Sequence, residues 1–152
     1  MFETYGGSSR AETHPMFTAA LLVTALFFGG MILYSFGFAA FVFTALPPET
    51  AGPTIRQVFP HFYLFVMGTA TLAAILTWPL SLPLSLALAT IAVTVLPTRQ
   101  MLMPAINRAT DAGASSKFKW LHGLSVLVTL AHIGISGWVL SQMLGLARVV
   151  QG

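Results

Sequence analysis

Apolar residues run along this chain in four long stretches, and the polar positions between them are few and marked by proline, glycine or charge. The first stretch extends from Met16 to Leu46 and stops at Pro47-Pro48. At about 1.5 Å per residue it is longer than the roughly 30 Å hydrocarbon core of a bilayer, which implies tilt or an end reaching the interface. It is about twice the length of a secretory-signal core and follows Glu3 and Glu12 rather than a basic start, so it reads as a retained span. The connector "PPETAGPTIRQVF", with Thr54 as a candidate N-cap, leads to a second span over about 58–78. Pro60 suits its first turn, and Trp78-Pro79 closes it. A third span covers about 80–97, where Pro97 kinks or ends it, and "TRQMLMPAINRATD" continues as a helical extension into the headgroups. "AGASS" (112–116) is a turn, and the fourth span covers about 118–147.

Residues 1–15, polar and Gly/Ser-rich, form a flexible or interfacial tail, and residues 16–148 make a single transmembrane domain. Short connections place consecutive helices side by side and antiparallel. The expected fold is therefore all-α: an integral membrane, up-down four-helix bundle.

Composition agrees with this pattern. Of 152 residues, 56% are hydrophobic and 7% charged, against about 25% charged in a soluble domain. The mean hydropathy is +0.82. The partner this demands is the lipid bilayer. Seven Lys/Arg against four acids are too sparse for a nucleic-acid surface, so no nucleic acid is expected. With no cysteine there are no disulfides, thiolate metal sites or thiol nucleophiles. The few cations report topology instead. Arg56, Arg99, Arg108, Lys117 and Lys119 flank the first and third connections, while Arg10 and Arg148 lie on the other side. This bias puts those two connections in the cytoplasm and both termini outside a plasma (inner) membrane, with Trp78 and Trp120 as anchors at opposite interfaces.

The candidate chemistry lies mainly on the fourth span. His122, Ser125, Thr129, His132 and Ser136 recur at a helical spacing that confines them to roughly 80° of arc, forming a polar seam. Gly123, Gly134, Gly137, Ser141 and Gly145 cluster on nearly the opposite side as a small-residue packing face. Gly30, Gly37 and Thr44 give the first span a similar groove. The hydroxyls can bond back to their own helix. Histidine differs, because one ring N–H always needs an acceptor. His132, well inside the span, should face the bundle interior or a wet cavity, as a structural hydrogen bond or as a ligand or proton carrier.

His61 and His122 each open a helix at the same end, and Gly68 and Thr71 share the His61 face. Facing each other, the two histidines could hold a b-type haem or a metal ion; facing outward, they would bond headgroups or loop carbonyls. Met101-x-Met103 is a soft-metal candidate or ordinary packing. Arg108 and Asp111, at i and i+3, suit a surface ion pair, and Arg56 suits a phosphate headgroup or an anionic substrate. No Ser/His/Asp set, phosphate loop or paired carboxylate is present, so no enzyme is expected.

Several short motifs, in order, resemble the transmembrane protein 205-like family, a domain of unknown function. They are Gly30 in a glycine-rich first span, Leu46-Pro47, Gly52, Phe59-Pro60-His61-Phe62-Tyr63 opening the second span, and His122-Gly123-Leu124-Ser125 entering the last. His61 stands where members often carry other residues, and His132 lies outside the motif. The resemblance implies a four-helix membrane bundle. It also implies a link to resistance against platinum drugs, attributed in the animal relative to export or vesicle sorting of metal complexes. Three functions follow as expectations. The first is export or handling of small or metal-containing solutes along the seam. The second is an accessory subunit packed on a larger membrane complex, for example a respiratory or photosynthetic one, or self-associated through the glycine faces. The third is a haem- or metal-binding protein using His61 with His122 or His132.

The topology has a direct test, helped by the absence of native cysteine. A cysteine at Ser116 should react with a membrane-impermeant maleimide only when the cytoplasmic face is exposed, and one at Ser8 only from outside. The opposite pattern would reverse the orientation.

Overall fold

In the computed structural model the backbone is described for residues 7–151 and the side chains for 15–146. The described chain is helical throughout and has no strands. The first helix runs through Gly7–Ile32, a wide π turn Leu33–Phe38, and Ala39–Ala45. The second is Pro48–Thr77. The third runs through Leu82–Pro97, a second π turn Thr98–Leu102, and Met103–Asp111. The fourth is Ser115–Gln151.

Four segments are long and apolar enough to cross a membrane: Pro15–Ala45, Pro48–Thr77, Leu82–Asp111 and Ser115–Leu146. At about 1.5 Å per residue each is about 45 Å long, enough for the hydrocarbon core and both headgroup layers. The expected all-α membrane bundle is what the chain forms. The helices pack in a ring, first on second, second on third, third on fourth and fourth on first. Trp78 and Trp120 are both exposed, at opposite ends of the helices that carry them.

Boundaries differ from the sequence reading in instructive places. The second helix begins at Pro48, ten residues before position 58, so Thr54 is inside the helix rather than its cap. The first turn closes on the Pro47 carbonyl, which accepts from the Thr50 and Ala51 amides, and Pro48 fits N1 because its missing N–H needs no partner there. Pro53 and Pro60 sit inside the helix without ending it, as transmembrane helices allow. Pro97 does not end the third helix either. The Met103 amide reaches back to the Thr98 carbonyl, five residues away, so the chain passes between Pro97 and Pro104 through the π turn. Of the polar tail, residues 7–14 continue the first helix and residues 1–6 lie outside the described part, as do the side chains of Arg10 and Arg148.

The two ends of the bundle are built differently. Between the second and third helices the chain turns within Trp78–Ser81, with the Ser81 amide bonding the Thr77 carbonyl at 2.9 Å. Close to that turn the second helix presents Ala70, Ala73 and Ala74, and Ser85 of the third donates to the Ala74 carbonyl at 2.7 Å. Around this narrow seam lies the core: Phe27 and Met31, Val66, Leu88, Ile91 and Val95, Val139 and Met143.

At the other end the third helix closes on Gly113, which alone among the described residues has a positive φ (64°). The Gly113 and Ala114 amides bond the Thr110 and Ala109 carbonyls, a Schellman closure that glycine makes possible. Here the last part of the third helix draws away from the second, and the core gives way to cavities.

Glycine allows close approach at two positions. A Cβ at Gly30 would lie 2.6 Å from the Phe65 ring of the second helix, and one at Gly137 would lie 3.1 Å from Phe28 of the first. Gly29, beside Gly30, has nothing within 4 Å. Gly30→Val should therefore displace Phe65 and cost about 1–3 kcal/mol, whereas Gly29→Val should be nearly neutral. Thermal unfolding of both variants in detergent checks this, and equal effects would remove the packing role of Gly30.

Candidate functional site

The polar seam of the fourth helix divides into two parts with different surroundings. Toward the tight-turn end, His132 and Ser136 are buried in the bundle. The His132 Nε2 lies 2.9 Å from the Thr94 hydroxyl of the third helix. Thr94 is also within reach of its own-helix carbonyls at Thr90 and Ile91, so its hydroxyl proton and lone pairs can serve both its own turn and the imidazole. Ser136 bonds the Ile133 carbonyl of its own helix. This half ties the third helix to the fourth.

Toward the other end, His122, Ser125 and Thr129 line a cavity of about 430 Å³. All four helices contribute to its walls: Ser35 and Phe36 from the first, Arg56, Phe59, Phe62 and Tyr63 from the second, Met103, Ile106, Asn107 and Thr110 from the third, and Phe118 to Leu130 from the fourth. His122 stacks on Phe118 (ring centroids 5.4 Å apart, 8° between planes). Tyr63 faces the same cavity as Ser125, and Thr129 donates back to the Ser125 carbonyl. The π turn Leu33–Phe38 widens the first helix where Ser35 and Phe36 meet the cavity.

On the far side of Phe62 lies an open, almost wholly apolar lateral groove of about 660 Å³ between the first and second helices. Phe62 borders both spaces, stacked against Tyr34 (4.4 Å, 7°) and edge-on to Phe59 (5.9 Å). Gly30, Gly37 and His61 line the groove. The structure therefore does not bring His61 and His122 to one cavity, because the aromatic wall stands between their two spaces. The face shared by His61, Gly68 and Thr71 is exposed, and the inward face of the second helix carries Phe62, Tyr63, Val66 and Ala70 instead. The three described histidines have three separate surroundings: groove, cavity and bundle interior. Among the described residues no three His, Cys, Asp or Glu side chains gather as a metal site.

The glycine faces also divide. Gly30 and Gly137 make contacts, Gly37 meets only Leu33 of its own helix, and Gly123, Gly134 and Gly145 have open space beside them. Met101 is exposed, while Met103 lines the cavity.

Asp111 pairs with Arg56 of the second helix rather than with Arg108, at 2.5 Å from Nη1 to Oδ1. Arg56 lies eight residues into its helix, about 12 Å from the start, and its long stem lets the guanidinium reach the carboxylate closing the third helix. The pair is partly exposed, with side chains 36% and 63% accessible, so it is worth no more than about 0–1 kcal/mol. It marks where the second and third helices meet at the wide end without locking them.

His122, Ser125 and Thr129 are legible in the sequence through their helical spacing. Thr94 is not, because its hydroxyl looks like any other in a membrane helix, and neither is the Phe59, Phe62 and Tyr63 wall, which reads as ordinary apolar filling.

The architecture defines a four-span helical membrane protein with a closed core at one end and a ligand-sized cavity at the other. The chain belongs to the family of the domain of unknown function DUF4149, whose pattern matches residues 22–115. That match spans most of the first helix, all of the second and third, and only the start of the fourth, so His122 to Ser136 lie beyond it. No curated protein and no solved structure matches the chain.

The Thr94–His132 contact can be separated from the other threonines. Thr94→Val should lower stability by about 0.6–1.7 kcal/mol, the range for interhelical hydrogen bonds in membranes. Thr90→Val, whose hydroxyl bonds only the Leu86 carbonyl of its own helix, should lower it less. Thermal unfolding of the two variants side by side decides, and equal losses would count against an interhelical role for Thr94.

Proposed function

We propose that the protein handles a small amphipathic solute, taken into the cavity at the wide end of the bundle from the cytoplasmic side of a plasma (inner) membrane. The observation that carries this reading is the cavity itself. All four helices build it, its volume falls in the range of small-molecule sites, and it combines aromatic walls with a few convergent polar groups. His122, Ser125 and Thr129, three of the five seam residues, supply that polarity from one side. The resemblance to the transmembrane protein 205-like family supports export or handling of solutes. Met103 and His122 on the wall give thioether and imidazole donors, which suit metal-containing cargo. His132 serves this function by holding the third helix to the fourth through Thr94.

A second reading, an accessory subunit of a larger membrane complex, draws on the open face at Gly123, Gly134 and Gly145, where another helix could approach closely.

One experiment separates the two. Native mass spectrometry of gently extracted wild-type protein should show a bound small molecule, lost in Ser125→Phe, which fills the cavity, and retained in Gly68→Phe, which adds the same ring to an exposed face. A protein free of any adduct but carrying stoichiometric protein companions would replace the solute reading with the subunit reading.

A further inference from the structure

We infer that the ligand of this cavity carries an anionic head, bound by the Arg56 guanidinium, and that Asp111 competes for that guanidinium from outside the cavity. The inference rests on reading the cavity as a ligand site, and it names the chemical class of the ligand.

Arg56 is the one Asp, Glu, Lys or Arg among the described residues that line the cavity. Its counter-ion, Asp111, is not part of the lining and is the more exposed partner. Any charge the cavity presents to a ligand is therefore positive, with no lining carboxylate to repel an anion. The guanidinium has five N–H donors, and the contact with Asp111 engages one nitrogen. The remaining donors can take a carboxylate or phosphate oxygen in the fork geometry arginine favours.

Polar partners for the head lie close by in sequence and space. Asn107 and Thr110 line the cavity from the same last turns of the third helix that carry Asp111. Further from Arg56 along the fourth helix the wall becomes apolar, through Val126 and Leu130, with Phe36 contributed by the first helix. Head and tail of the ligand are thus both specified: an anion at the Arg56 end and an apolar body along the aromatic wall.

The weak, half-exposed ion pair gives the site a predictable sign. While Asp111 holds Arg56 the cavity is screened, and a ligand anion must displace that carboxylate. Removing the competitor should tighten anion binding, and removing the guanidinium should weaken it.

The test uses the full chain in phosphatidylcholine nanodiscs, with a dansyl-labelled undecanoic acid as anionic probe and its methyl ester as neutral control. The wild type should bind the acid more tightly than the ester. Arg56→Gln should weaken the acid roughly tenfold, in keeping with loss of a charge-assisted hydrogen bond, and leave the ester unchanged, which also shows that the variant is folded. Asp111→Asn should tighten the acid about threefold, in keeping with release from an exposed ion pair. Arg56→Lys should retain part of the preference for the acid.

Equal binding of acid and ester by the wild type, or an unchanged acid affinity in Arg56→Gln, overturns the anionic head while leaving the cavity as a ligand site. Binding of neither probe overturns both readings. Adding phosphatidylglycerol to the nanodiscs then separates the sources: displacement of the acid supports an anionic lipid headgroup as the natural occupant, and undisturbed binding supports a free amphiphile.

Discussion

The close approach of the second and third helices at their shared tight turn is the constraint on which the rest of this structure depends. Ala70, Ala73 and Ala74 keep one side of that seam low, and Ser85 crosses it to the Ala74 carbonyl. In a bilayer helices gain nothing by hiding apolar surface from water, so contact distance and packing decide where they meet. Once alanines bring the two backbones together at one end, a slight divergence separates them at the other. Bulky rings fill that divergence incompletely. Phe59, Phe62 and Tyr63 stand on the second helix about one to two turns past the point where Arg56 reaches across to Asp111. The cavity follows from a bundle pinned at one end and propped at the other.

Most hydroxyls in the bundle are spent locally. Thr24, Thr69, Thr90, Thr98 and Thr129 each donate to a carbonyl four residues earlier, which removes the cost of placing an O–H in an apolar setting and gives no link between helices. The exceptions carry the architecture: Ser85 to Ala74, and Thr94 with His132. Each joins two helices of the bundle, and together they bind the second, third and fourth. Polar groups here act as position markers more than as sources of stability, since each such bond is worth little in lipid.

The two π turns sit in the half of the chain that forms the wide end. The Leu33–Phe38 turn lies between the lateral groove and the cavity, with Tyr34 facing one and Ser35 the other. The Thr98–Leu102 turn lies between two prolines that cannot donate backbone hydrogen bonds, and it reorients the last part of the third helix, including Met103 and Asn107, toward the cavity. Wide turns of this kind change which side chains share a face, so they redirect residues that a uniform helix would place elsewhere.

Hydropathy alone determined that the chain spans a membrane four times as helices, because backbone groups in lipid have no other partners than their own turn. Helical periodicity likewise brought His122, Ser125, Thr129, His132 and Ser136 onto one side of the fourth helix, since that placement depends on a single helix. The sequence did not determine how the seam divides into a buried pair and a cavity wall. Nor did it determine that His61 faces a groove apart from His122, or that Asp111 turns to Arg56 instead of Arg108. Each of these depends on how far apart two helices stand and how they are rotated, and that is decided only when small and large side chains from different helices meet. A helix fixes its own faces; only its neighbours decide which of them become core, cavity or lipid surface.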